Sequence, residues 1–230
     1  MKEWLTSNKP NWGSKWQAGD VKYKDLTGEG EVTPGASTLE NHGDLKRIGN
    51  NSPRYRVGLN LDAAWKGIDF SIFFQGVLKR DWMFDAGDPY FWGAGSGMWQ
   101  AACFEEHMDY WTPENTDAYY PKPYFNETKN QQAQDAYMQK ASYLRCKNIQ
   151  LGYTLPTHIT EKAGISNCRI YLSCDNLFTI TGLSSVYDPE AFGSYDGYGT
   201  SGKTYPLQRT ISVLSLIHIS EPTRLALISY

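Results

Sequence analysis

The 230-residue chain contains no apolar run approaching the ~18 residues a membrane-crossing helix needs, so helical insertion is excluded. It lacks an excess of either charge: the formal net charge is −3, too small to draw the chain to nucleic acid. Its opening, MKEWLTSNKPNW, has no apolar core of the kind a secretory leader carries. An exported protein of this sequence is therefore expected to be a fragment. Disulfide and metal frameworks are missing too. The four cysteines, Cys103, Cys146, Cys168 and Cys174, show no CxxC or ligand spacing and are assigned packing roles. Acid–base candidates Glu105, Glu106, His107 and Asp109 cluster without a partner nucleophile or metal-ligand spacing. The chain reads as a non-enzyme with no cofactor.

What it has is aromatics and alternation. Sixteen Tyr and eight Trp accompany a sequence that is polar on average. From Tyr55 to Trp65, Tyr55, Val57, Leu59, Leu61, Ala63 and Trp65 oppose Arg56, Gly58, Asn60, Asp62 and Ala64. After Lys66-Gly67 the alternation resumes, with Ile68, Phe70, Ile72 and Phe74 against Asp69, Ser71 and Gln75. Two period-2 runs around a short Gly-containing break predict a β-hairpin. Each run matches the ~9–11 residues of a tilted transmembrane strand. A hairpin of a soluble β-sandwich is the alternative.

Three further strands are expected. In Ala141–Leu155, Ile149, Leu151, Tyr153 and Leu155 share a face, and Arg145 and Lys147 fall on that same face in the first half, as though the strand rises above the lipid. In Cys168–Thr181, Cys168, Ile170, Leu172, Cys174 and Phe178 oppose Arg169, Tyr171, Ser173 and Asp175. A fifth strand begins at Arg209. The connections run short, long (Leu78–Lys140), short (PTHITEKAGISN), long (about 182–206). That asymmetry fits an up-and-down barrel wall with long loops on one side. The fold class is thus all-β, antiparallel, an incomplete segment of a large transmembrane barrel with long extracellular loops. The polar-face residues Arg56, Asn60, Asp62, Asp69, Ser71, Gln75, Arg169, Tyr171, Ser173 and Asp175 are the candidate lumen lining.

Residues 1–54 lack a period and read as an extracellular loop region. Within it Asp25, Thr27, Glu29, Gly30 and Thr33 take the first, third, fifth, sixth and ninth places of an EF-hand calcium loop. The twelfth place, where that loop needs a bidentate Glu, is Ala36. An acidic turn held by glycines fits these residues better. In the long connection Tyr90, Phe91, Trp92, Trp99, Tyr110 and Trp111 suit either sugar stacking or a small core of the loop itself, and the core accounts for most of them.

Eight blocks in order carry a resemblance: GDVKYKDLTGEGEVT (19–33), RIGNNSPRYRVGLNL (47–61), KGIDFSIFFQGV (66–77), YWTPEN (110–115), ASYLRCKNIQLGYTLP (141–156), IYLSCDNLFTIT (170–181), DPE (188–190) and YPLQRTIS (205–212). Over about residues 17–213 the chain resembles the C-terminal part of the SusC/RagA family of TonB-linked outer-membrane transporters. The resemblance implies a barrel of about 22 strands with a plugged lumen, located in the outer membrane and facing its lipid. It implies import of oligosaccharides or peptides with a SusD-like surface lipoprotein. Energy would come from TonB through an N-terminal plug that this stretch does not include. Met1 then reads as an internal start or a truncated frame. The first block departs from the family's DLNGDGKID form at Thr27, Glu29 and Thr33.

The C-terminus departs as well. After Ile211 and Val213 the alternation loses phase, and LSLIHISEPTRLALISY (214–230) resembles the translation of a sequencing-library adapter. The chain is accordingly divided into a loop region (1–54), barrel strands and loops (55–213) and an artefactual tail (214–230). The alternative function is a soluble secreted carbohydrate-binding β-domain. The two differ in where the apolar strand faces point: outward around an arc in a barrel, inward to a second sheet in a sandwich.

Overall fold

The computed structural model describes residues 9, 10, 12, 15–96, 102–125, 127–190 and 207–219. Trp99 and the residues beyond Ile219, including Pro222, lie outside them. Five long strands run β1 (Arg54–Trp65), β2 (Ile68–Lys79), β3 (Gln139–Thr154), β4 (Ile165–Gly182) and β5 (Thr210–Ile219). They lie side by side in chain order, each antiparallel to the next. The sheet does not close, because β1 and β5 do not pair with each other.

The β1–β2 turn shows why the hairpin forms here. Lys66 and Gly67 both have positive φ (48° and 85°), the pair of conformations a two-residue type I′ turn needs to match strand twist. Trp65 then pairs with Ile68, Leu61 with Ile72 and Leu59 with Phe74. The even series of β2 therefore shares one face with the odd series of β1, as the alternation predicts. Pro156 ends the β3 side, a helical turn at Thr157–Thr160 follows, and Gly164, left-handed at φ 69°, releases the chain into β4.

β3 corrects one expectation. Its register shifts between Cys146 and Asn148, with Lys147 passed over by both neighbouring strands. A β-bulge adds one residue and inverts side-chain parity beyond it. Leu144 and Cys146, not Arg145 and Lys147, therefore continue the apolar face of Ile149. Arg145 lies on the polar face beside Gln75 and Thr179. Cys146 is fully buried, as Cys168 and Cys174 on the same face nearly are, because it sits between Phe74 and Phe178, whose rings lie 6.2 Å apart.

The chain forms two compact units interleaved in sequence. Of the described residues, the sheet unit takes those within 52–80, 140–183 and 207–219, and the loop unit those within 9–51, 81–139 and 184–190. The loop unit has its own aromatic core. Phe84 stacks on Phe91 and Tyr187 with centroids at 4.6 and 4.2 Å, and Trp92, Tyr120 and Tyr137 pack around Phe91. Phe91 and Trp92 are core residues, and Trp111 lies against Gly19, where a Cβ would come within 2.4 Å of its ring. Tyr187 donates to the Asp88 carboxylate (2.8 Å). Burial, and then the Asp88 charge, hold its phenol well above the usual range.

Candidate functional site

The register gathers every polar alternate residue onto one side of the sheet. Arg56, Asn60 and Asp62 on β1 oppose Val77, Phe73 and Ser71 on β2. Asp69, Ser71 and Gln75 oppose Gly152, Gln150 and Arg145 on β3. Arg169, Tyr171, Ser173 and Asp175 on β4 oppose Thr154, Gly152, Gln150 and Asn148. All ten candidates thus share one face. Alternation on β3 already placed Asn148 and Gln150 there. Arg145 was hidden by the bulge.

These side chains bond to one another across the strands. Arg169 grips Asp69 with two bonds, Nε to Oδ1 at 3.0 Å and Nη2 to Oδ2 at 2.5 Å, and its guanidinium lies 4.5 Å from the Tyr171 ring centroid. Asn148 donates to Asp175 (2.7 Å) and Ser173 (3.3 Å). Arg145 Nε donates to Thr179 Oγ1 (2.7 Å). On β1, Asn60 donates to Asp62. A face of both charges, largely satisfied by its own neighbours, is wettable without carrying a large field of one sign. Phe73 and Val77 are apolar exceptions on β2, and the Phe73 ring lies over Gly58, whose Cβ would sit 3.6 Å from it.

The opposite face is apolar and open. Leu59, Leu61 and Val213 are 52, 50 and 76 % exposed, and Ile68, Leu151, Ile170 and Ile211 extend the band across all five strands. No second sheet of long strands occurs among the described residues. Trp65, Ile68 and Tyr153 gather at the hairpin end of this band, as interfacial aromatics do. A sandwich would have buried this face.

The acidic turn of the loop unit is built from carboxylates facing amides. Asp25 accepts from the N–H groups of Gly28 and Gly30, and Asp44 accepts from those of Leu26, Thr27 and Thr33. Thr27 Oγ1 also donates to Asp25 and Asp44. The Asp25 oxygens therefore look into donors, which a cation would have to displace. No group of three or more ligating side chains poised for a metal occurs among the described residues. Two of the acid–base candidates make contacts within the loop unit: Glu106 accepts from Ser184 Oγ (2.8 Å), and Asp109 accepts from Asn115 and the Tyr119 N–H.

No protein-family model matches the chain. It is 31 % identical over 173 residues, 75 % of its length, to TonB-dependent receptor P3 of Formosa agariphila. It is 26 % identical over 202 residues, 85 % of its length, to TonB-dependent receptor P26 of the same organism. The chain belongs to the TonB-dependent receptor family. It spans 16 and 19 % of the length of those two receptors. In three dimensions it is similar to the RagAB peptide importer in its closed-closed state, with a TM-score of 0.54 and 26 % identity over 74 % of this chain and 18 % of that one. The open antiparallel sheet is thus a portion of a TonB-dependent receptor's β-structure.

Proposed function

We propose that the five strands form part of the barrel wall of an outer-membrane nutrient importer, with the ten polar-face residues lining its lumen and the apolar face meeting lipid. The observation that carries this reading is the two-sidedness of the sheet: a polar network on one face, interrupted by Phe73, Val77, Leu214 and Leu216, and a broad exposed apolar band on the other. In water such a band would be a liability to aggregation, whereas in a bilayer it is the stable arrangement. The imported class is oligosaccharide or peptide. The partners are a SusD-like surface lipoprotein that captures it and TonB acting through a plug elsewhere in the receptor. The similarity to a peptide importer supports this assignment. Disrupting the gene that encodes the chain in its source bacterium tests it. Loss of uptake of a labelled peptide or oligosaccharide, with the protein found in the outer-membrane fraction, is the expected result. Unchanged uptake and recovery of the protein in the soluble fraction would overturn the proposal.

A further inference from the structure

The loop unit holds a cavity of about 240 Å³, walled by Trp92, Tyr110, Tyr120, Tyr124 and Pro123. That is below the ~300–1,000 Å³ of pockets that take a whole drug-sized molecule, and suits a single ring-sized group.

The amide side chains on the wall are committed to the protein's own backbone and side chains. Gln131 donates to the Gly95 carbonyl and accepts from the Gly87 N–H, both at 2.7 Å. Asn130 accepts from the Val21 N–H and donates to Asp20, both at 3.0 Å. The two charged wall residues also face groups of the protein: Lys122 Nζ lies 5.7 Å from the Tyr124 ring centroid, and Glu127 lies 3.7 Å from Lys129.

His107 is different. It lines the cavity and is only 7 % exposed. Its Nδ1 accepts the Phe104 N–H at 3.0 Å, so in the neutral ring the proton resides on Nε2. That Nε2–H is buried and has no partner among the described residues. Gly93 at φ 55° backs the ring, because any Cβ there would come within 2.7 Å of Nδ1. Phe104 and Tyr120 flank it, with centroids at 5.6 and 5.3 Å. The donor is thus held in place, and a buried donor left unmatched is costly.

We infer that this cavity receives an aromatic side chain of a peptide, stacked among the Trp and Tyr rings, with His107 Nε2–H donating to an oxygen of the guest. Sugar rings also stack on aromatics, but each carries several hydroxyls, and burying them here would leave most without partners. The inference rests on the import reading and narrows its substrate class to peptides.

The test uses the full chain in lipid nanodiscs, titrated with N-acetyl-L-tyrosinamide and, separately, with methyl α-D-glucoside. Met108, also on the cavity wall, supplies a methyl NMR signal on the unaltered protein, which the tyrosine derivative should shift and the glucoside should not. His107→Asn keeps an acceptor for the Phe104 N–H but removes the Nε2–H, and should weaken binding about tenfold. Gly95→Leu, whose Cβ meets nothing closer than 3.5 Å, should fill the cavity and abolish binding. A silent Met108 signal, a preference for the glucoside, or equal affinity in both variants would overturn the assignment. Any of these would leave import standing, since uptake by cells is read separately.

Discussion

Asp69 on β2 and Arg169 on β4 are joined by a two-point ion pair that crosses the intervening strand over Gly152. A Cβ on Gly152 would lie 2.5 Å from Asp69 Oδ1 and 2.8 Å from Arg169 Nε, so the pair occupies the place of the missing side chain. Three strands are tied on their polar face by one contact that a side chain at position 152 would have to push aside.

Gly152→Ala should therefore displace the pair, and because the atoms it meets belong to flexible, partly exposed side chains, the cost should be about 1 kcal/mol. Asp69→Asn should cost no more than about 1 kcal/mol, because both side chains are partly exposed. Denaturant unfolding of the chain in lipid nanodiscs, followed by tryptophan fluorescence, compares the two. A smaller cost for the alanine than for the asparagine would contradict the crossing geometry.

Sidedness predicts opposite responses to the same substitution. Leu61→Arg places a cation on the apolar face and should cost about 2–4 kcal/mol at mid-bilayer depth. Ser71→Arg, two positions from the Asp69 pair on the polar face, should cost well under half of that. Equal costs in the same unfolding assay would argue that both faces meet the same solvent.

The acidic turn should be acid-labile. The Gly30 and Gly28 N–H groups hold the Asp25 carboxyl below its ordinary value of 3.8. Burial pushes Asp44 upward, but the N–H groups of Thr33, Leu26 and Thr27 outweigh it and lower this group as well. A carboxyl whose folded pKa is depressed stabilises the fold above its unfolded value, and that stability is lost as pH falls through the folded value. Amide-exchange protection at Gly28, Gly30 and Thr33 should accordingly be full above about pH 5 and collapse below the ordinary carboxylate range. Loss of protection on addition of calcium at pH 7 would instead show that a cation displaces the amides.

The end of β5 carries a register conflict. Ser215 pairs with Ile170 on the apolar face, while Leu214 and Leu216 pair with Tyr171 and Arg169 on the polar face. Residues from Leu214 onward are proposed to be adapter-derived. Long-read sequencing of the source locus should replace them with a frame that continues the Ile211, Val213 alternation. An uninterrupted frame running through Val213 into SLIHISEPTR would refute this.

The strands were legible because period-2 alternation states both the element and its sides: Leu59, Leu61, Ile72 and Phe74 needed nothing beyond their spacing. The polar face followed from the same parity. Lys147 marks the limit of that reasoning, since a bulge leaves no local signature in KNI, and the parity change is settled by the pairing of Asn148 with Phe73 and Asp175 and of Cys146 with Phe74. The loop unit was legible as aromatic content and as the acidic turn around Asp25. Its core joins Phe84, Phe91, Tyr120 and Tyr187, residues far apart in a stretch without a period. His107 looked like one member of an acid–base cluster, and only its Nδ1 bond to Phe104 shows which nitrogen is left to donate.

The central claim, that alternate residues of one strand meet lipid and water, is tested most directly by spin-label scanning of β2. In a cysteine-free background, nitroxides are placed singly from Ile68 to Gln75, and the protein is reconstituted in bilayers. Collision rates are then measured with oxygen, which concentrates in lipid, and with a water-soluble nickel chelate. The account predicts that labels at 68, 70, 72 and 74 respond to oxygen and those at 69, 71 and 75 to nickel, in strict alternation. Uniform nickel accessibility along the strand, or the opposite phase, would contradict it.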